Sequence, residues 1–521
     1  MSFTDYLFMP LFIIVAILYY ILPKRIRWIF LLAISIAFYC SWNSEVLPYI
    51  LVAVLLAWVT GNLIENLYRK ITIRIENEPE MPADEKKTLQ SKTKKKCKWI
   101  LLVNVSILVG MLVFSKAGKH ILAILHMKGA VSVVMPLGIS YYTMSLIGYM
   151  ADVYWKKEKA EKNILKLLLF AIYFPKILEG PISKHRLIAK QLNESTSFDY
   201  NTFCFGLQRM IWGYFKKLVI ADRLNVFITA VLASYKHTSG AILTLTFFFG
   251  VFQLYCDFSG CMDIVIGASE TLGIKLEENF NHPFFSESAA EFWRRWHISL
   301  GVWFKDYVYM PIVISPRLIK ISGKVRKKFG KRAGKSVMTV VPLLIVWSLT
   351  GIWHGTGWNY VVWGLYWGTL ISWSTIFEAE LKKINEKLKI DVSRKYYHCF
   401  RRIRTFLLFM LSRAITMPTN LKMSAAIFKR VVTRFAMWEL VDGTVYTFGL
   451  GKNDFIVLGV ALLILYSVSK KQENGVFIRE EIAAMPLVVR WGIYFAAVFC
   501  VLIFGTYGIG YNASSFVYMN Y

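Results

Sequence analysis

Cysteine is sparse and unpaired in this 521-residue sequence: the seven stand at 40, 97, 204, 256, 261, 399 and 500, and no C-x-x-C occurs. An odd, scattered set supports neither a disulfide framework nor a zinc site, so no metal is expected. Acidic residues are also few, 33 Asp+Glu against 62 Lys+Arg, which leaves a net charge of +29. The excess does not point to nucleic acid, because the cations fall in short runs between apolar segments, where the cytoplasmic loops of a membrane protein collect them. No internal repeat of the kind that marks many transporters is visible. The N-terminal stretch has Asp5 ahead of its apolar run and no small-residue cleavage site after it, so a retained first span is expected there and not a signal peptide.

Apolar and aromatic residues are abundant, at 56% and 16%, and mean hydropathy is +0.45. This excludes a soluble multidomain protein. The fold class expected is an all-α polytopic membrane protein, one integral-membrane domain over 1–521 with about ten to twelve transmembrane helices plus re-entrant and amphipathic pieces. Lys24, Arg25 and Arg27 place the first turn in the cytoplasm. Residues 65–98, with Pro79 and Pro82, read as a flexible basic cytoplasmic loop carrying an amphipathic helix, and 378–404 as a cytoplasmic amphipathic segment. His120 and His126 read as loop residues. FPKILEGPISK, flanked by charge on both sides, is too short to span and is expected to dip into the membrane and return. Residues 203–233 embed Arg209, Lys216, Lys217, Asp222 and Arg223, which implies an oblique or surface helix with snorkelling side chains.

Two stretches carry the candidate chemistry. Ser336 to Phe377 holds no ionisable side chain except His354, Tyr360 and Tyr366. As helix its length is about 63 Å, twice a bilayer's hydrocarbon core, so it crosses twice with His354 near the middle, beside Trp353 and Trp358. An imidazole at that depth is a functional-site hypothesis; the plainer alternative is a core histidine bonded to a carbonyl of a broken helix. In the second stretch, Gln253 to Pro311, Asp257 and Asp263 stand in apolar surroundings and each needs a donor, a cation or a proton. They differ by about 120° around a helix, unless Gly260 breaks it. Capping broken backbone and lining a channel, with Ser259 between them, both remain open. Residues 291–311 read as one amphipathic helix with Trp293, His297, Leu300, Gly301 and Phe304 on its inward face. Arg294 is placed to reach a phosphate in the same groove, while Arg295 and Lys305 meet lipid headgroups.

These motifs resemble the membrane-bound O-acyltransferases (MBOAT), and within them the bacterial AlgI-like polysaccharide O-acetylation branch. QLYCDFSGCMDIVIG, ENFNHPFFSESAAEFWRRWHISLGVWFKDYVYMPI, TGIWHGTGWNYVVWG, MPLGISYYTMSLIGYMADVY and LEGPISK each have a counterpart there. Cys256, Cys261 and Glu179 depart from the branch pattern. The resemblance implies an MBOAT fold around a central funnel or tunnel, a catalytic core within 240–377, and His354 and His297 as the two catalytic histidines. Trp293, Arg294, Trp353, Asn359, Asp257, Ser259 and Asp263 are then substrate-binding or tunnel-lining. It further implies acetyl transfer from a cytoplasmic thioester across the bacterial inner membrane to an exported polysaccharide. Acetyl-CoA is the expected donor, with an acyl carrier protein's phosphopantetheine thioester as the alternative, and no permanently bound cofactor. Expected partners are membrane lipids, an extracytoplasmic SGNH-type esterase-fold protein and polysaccharide export machinery, with no nucleic acid. The competing readings are D-alanyl transfer to teichoic acid, as in the related DltB branch, a polymer or ion transporter using Asp257, Asp263 and His354, and an export scaffold in which the histidines are dispensable.

Overall fold

The computed structural model describes residues 2–5, 7–124, 135–194 and 196–507. Among these the secondary structure is helical, with one isolated β-bridge between Phe280 and Trp296. His126 lies outside the described residues, whereas His120 falls on a helix and not in a loop. Among the described residues, seven helices are long and apolar enough to cross a membrane, and Phe8–Ile21 adds a shorter apolar one. The chain forms two compact units, Met1–Leu207 with Val265–Glu277, and Gln208–Ile264 with Glu278–Tyr521.

The first unit contains α1 (Phe8–Ile21), α2 (Arg27–Asn43), α3 (Leu47–Asn77), α4 (Ala83–Ile124), α5 (Ile139–Tyr154), α6 (Ile164–Ile172) and α7 (His185–Asn193). Every residue of α5 from Ile139 to Val153 is buried, as an all-round apolar helix requires. Gly61 lets α3 approach it: a Cβ there would lie 2.8 Å from the Tyr149 hydroxyl. The flexible loop expected over 65–98 is instead two helical extensions, since only 78–82 leave the helix between α3 and α4. Its Lys, Glu and Arg are good helix formers, and local pairs such as Arg74–Glu78 at 3.3 Å support them. Glu65, on the same stretch, is gripped by Lys162 Nζ at 2.5 Å and by the Ala160 amide at 3.1 Å. FPKILEGPISK is irregular and buried, with the Ser183 hydroxyl donating to Glu277 at 2.6 Å.

The second unit holds the end of α8 (Tyr200–Tyr214) from Gln208 onward, a π-helical segment Phe215–Ala221, α9 (Asp222–Ala233) and α10 (Gly240–Thr271) as far as Ile264. It continues through α11 (Ala289–Arg295), α12 (Ile298–Phe304), α13 (Met310–Val313), α14 (Pro316–His354), α15 (Trp358–Ile376), α16 (Glu378–Lys387) and α17 (Lys395–Thr416). The chain then forms α18 (Leu421–Thr433), α19 (Lys452–Glu473), α20 (Ile478–Ala483) and α21 (Leu487–Phe504). The segment 378–404 is helix α16, a short link and the charged start of α17.

Two helical expectations fail here. α10 runs unbroken through Gly260, whose missing side chain serves close packing: a Cβ would lie 2.9 Å from the Gly213 carbonyl oxygen. The single amphipathic helix of 291–311 is broken between α11 and α12, where His297 takes a left-handed conformation (φ 47). Periodicity cannot register such a break, because buried aromatics continue on both sides of it.

Ser336–Phe377 forms the hairpin that positions His354. α14 begins on the Ser315 side chain, which accepts the Leu318 amide at 3.3 Å, with Pro316 in its first turn. It kinks at Gly330 (φ 89) and ends on His354. α15 rises about 28 Å, close to a bilayer's hydrocarbon thickness. The two helices touch through glycines: a Cβ at Gly351 would lie 2.4 Å from the Tyr360 carbonyl oxygen, and one at Gly364 2.4 Å from that of Trp347.

Candidate functional site

His354 closes α14 at the hairpin's tip, 6% exposed, with its ring edge-on to Trp363 at 5.1 Å and to Trp353 at 4.9 Å. It lines a small, partly open cavity together with Leu254, Tyr360, Trp363, Phe409, Ser412, Arg413 and Thr416. Tryptophan and phenylalanine make much of the wall an apolar, low-dielectric surface. α17 contributes Phe409, Ser412, Arg413 and Thr416, spaced so that they share one face of the helix. Sequence reading missed this face. The signal is present, since Arg413 interrupts the apolar run at 405–417, and such a residue is a candidate by default.

His297 is 3% exposed and precedes α12. Its Nδ1 lies 3.4 Å from Asn279 Oδ1, and that oxygen also accepts the Ser299 amide at 2.9 Å. An amide oxygen accepts only, so the contact selects the tautomer with the proton on Nδ1. The ring is edge-on to Phe258 at 4.7 Å and lies 6.1 Å from Trp353, which in turn touches His354. Burial, and then the neighbouring His354, hold the His297 pKa well below the ordinary histidine range, so the ring is neutral. Asn279 was not picked out from the sequence, because nothing in ENFN distinguishes a buried amide from a loop one.

The other expected residues separate into three groups. Trp293 joins the aromatic wall, 4.9 Å from Trp347, 5.5 Å from Trp363 and 5.3 Å from Trp367. Arg294 is exposed while His297 is buried, so the shared groove expected for them is not formed. Asn359 is buried with its amide directed at the Pro418 carbonyl at 3.4 Å, a tie beside the site and not a member of the cavity lining. Arg295, expected at headgroups, is paired with Glu473 at 2.7 Å and Glu291 at 2.9 Å.

Asp257, Ser259 and Asp263 belong to a buried ionic cluster. Lys217 Nζ lies 2.6 Å from Asp257 and 2.8 Å from Asp222. Asp263 receives Lys216 Nζ at 2.5 Å and Arg209 Nε at 2.9 Å, Lys216 also donates to Ser259 Oγ at 2.9 Å, and Arg209 holds Glu278 at 2.6 Å. The snorkelling expected of Lys216 and Lys217 is overturned: they are 3% and 0% exposed and turn inward to carboxylates. Asp257 and Asp263 each have a lysine side chain as a partner. Neither aspartate lines the His354 cavity.

Residues 161–417 match the model of the MBOAT, membrane-bound O-acyltransferase family. The probable alginate O-acetylase AlgI of Azotobacter vinelandii is 30% identical over 473 residues, covering 88% of this chain and 81% of that protein. The peptidoglycan O-acetyltransferase of Helicobacter pylori is 30% identical over 48% of this chain and 50% of its own. The teichoic acid D-alanyltransferase of Bacillus subtilis is 30% identical over 47% of this chain and 60% of its own.

Proposed function

Because this chain belongs to the membrane-bound O-acyltransferase family, we propose that it acetylates hydroxyl groups of an exported cell-surface polysaccharide, with His354 as the general base. The observation that carries this reading is His354 at the tip of the α14–α15 hairpin, buried yet lining a cavity walled by Trp363 and Tyr360. The imidazole takes the proton of an acceptor hydroxyl as its oxygen attacks the thioester carbonyl. The carbon–sulfur bond then breaks, and the imidazolium returns the proton to the leaving thiolate. His297, neutral and one tryptophan away, orients the thioester or steadies the developing charge.

Acetyl-CoA is the favoured donor, arriving from the cytoplasm. The relative named for O-acetylation of alginate aligns over 88% of the chain, whereas the D-alanyltransferase relative aligns over 47%. A carrier-protein phosphopantetheine thioester is the alternative donor. The acetyl group passes across the inner membrane of a bacterium to an extracytoplasmic SGNH-type partner working with polysaccharide export machinery. No permanently bound cofactor takes part.

The test is transfer from radiolabelled acetyl-CoA in proteoliposomes. His354→Ala should lower the rate by about 10² to 10⁴, the usual worth of a positioned base, while inserting normally. Full activity in that variant would refute the assignment. Movement of polymer or ions by wild-type protein that never consumes acetyl-CoA would replace it with transport.

A further inference from the structure

The acyl-transfer step leaves one side chain of the cavity unused. Arg413, in the last turn of α17, is 7% exposed and lines the same cavity as His354. Its Nε donates to the Gly250 carbonyl at 3.2 Å and one Nη to the Thr416 hydroxyl at 3.1 Å. Both partners are neutral, no carboxylate pairs with Arg413 among the described residues, and none stands among the residues lining the cavity.

A guanidinium cannot shed its charge in a protein, and burying an unpaired charge is costly. The cations of the ionic cluster in this unit avoid that cost: the half-buried Arg209 and the buried Lys216 and Lys217 each face at least one carboxylate. Arg413 keeps its charge with only a carbonyl and a hydroxyl to hold its fork in place. This is the arrangement of a site whose counter-charge arrives with the ligand, because two donors fix the guanidinium and further N–H groups remain for a visitor.

We propose that Arg413 forms an anion subsite beside His354, receiving an anionic oxygen during the reaction. The inference rests on the acyl-transfer reading. Two sources supply such an oxygen: the tetrahedral oxyanion formed when a hydroxyl attacks the thioester, and a carboxylate carried by the acceptor sugar. For the first, the guanidinium acts in the transition state; for the second, it selects acidic polysaccharide over neutral.

The full chain in nanodiscs, with acetyl-CoA as donor and either cellotriose or trigalacturonate as acceptor, separates the sources. If the oxyanion is the ligand, Arg413→Gln lowers kcat for both acceptors by about 10²-fold, leaves KM in place, and is partly rescued in Arg413→Lys. If the carboxylate is the ligand, Arg413→Gln raises KM for trigalacturonate at least tenfold and leaves cellotriose unaffected. Unchanged kinetic constants for both acceptors, or lost thermal stability with intact kinetics, overturn the proposal and leave Arg413 a structural tie to Gly250. Should Arg413→Gln fail to assemble, Arg413→Lys carries the test, because a lysine retains the charge but not the fork; an unchanged constant there for both acceptors also overturns it. If wild-type protein neither acetylates a sugar nor releases CoA from acetyl-CoA, the acyl-transfer reading fails by itself. The subsite is then read by binding: trigalacturonate raises the unfolding midpoint of wild type and not of Arg413→Gln, and equal midpoints sink it.

Discussion

The ionic cluster around α10 and the cavity at the hairpin tip lie in the same unit and are built on opposite rules. In the cluster, Arg209, Lys216 and Lys217 meet Asp222, Asp257, Asp263 and Glu278, every cation within hydrogen-bond reach of a carboxylate. In the cavity, one imidazole and one guanidinium stand among aromatic rings and hydroxyls with no carboxylate on the wall. Buried charge is therefore no guide to chemistry in this protein. The cluster's charges are balanced from within, whereas Arg413 on the cavity wall has a carbonyl and a hydroxyl as its hydrogen-bond partners.

The largest effect expected from breaking that contrast is on assembly. Lys217 is wholly buried between Asp257 and Asp222, so Lys217→Met strands two carboxylates and should cost about 3 to 5 kcal/mol of stability. Thermal unfolding of the detergent-solubilised variant would measure it. Lys217→Met combined with Asp257→Asn and Asp222→Asn should recover much of the loss, because neutral neighbours need no counter-charge. Whatever fraction assembles should keep its KM and kcat. A selective collapse of kcat in well-assembled Lys217→Met protein would move the cluster into the machinery and erase the distinction.

A smaller effect is expected at Asn279, which supports both regions of the argument. Its Oδ1 receives the Ser299 amide and faces His297 Nδ1, and its Nδ2 lies 3.1 Å from Met262 Sδ on α10. Asn279→Ala removes the acceptor and should cost about 1 to 3 kcal/mol, the penalty for a stranded buried donor. A positioning role predicts more than that: kcat should fall roughly tenfold while KM for acetyl-CoA stays in place, and the pH profile should change because His297 is free to switch tautomer. Loss of stability with an unaltered profile would leave Asn279 a packing residue.

How far the sequence could be read follows the same division. The helical class and the Ser336–Phe377 hairpin were legible because apolar length and a lone histidine are local properties. The partners of Asp257 and Asp263 were not, since Lys216 and Lys217 lie some forty residues earlier and pairing across helices leaves no trace in spacing. The charge of 65–98 suggested a flexible loop carrying an amphipathic helix, although its Glu, Lys and Arg continue two helices. His297 was identified as a candidate, but its left-handed backbone was hidden because the residues around it satisfy a helical period. Arg413 is hidden inside an otherwise apolar run, where spacing alone gives it no partner.

The smallest effect expected is at Arg294, and it tests the boundary of the cavity. A helix through 291–311 would have carried Arg294 round to the face of His297, but the break at Trp296 and His297 leaves it exposed, with Arg295 turned back to Glu291 and Glu473. An exposed cation outside the cavity contributes little to folding or to chemistry, so Arg294→Ala should change stability by no more than about 0.5 kcal/mol and leave transfer rates within about twofold. Since any phosphate it met would be at the surface, a residual effect should fade as salt rises to screen it. A loss that survives high salt and appears in kcat would mean that α11 swings Arg294 inward during the reaction, extending the site beyond the residues that line it in this conformation.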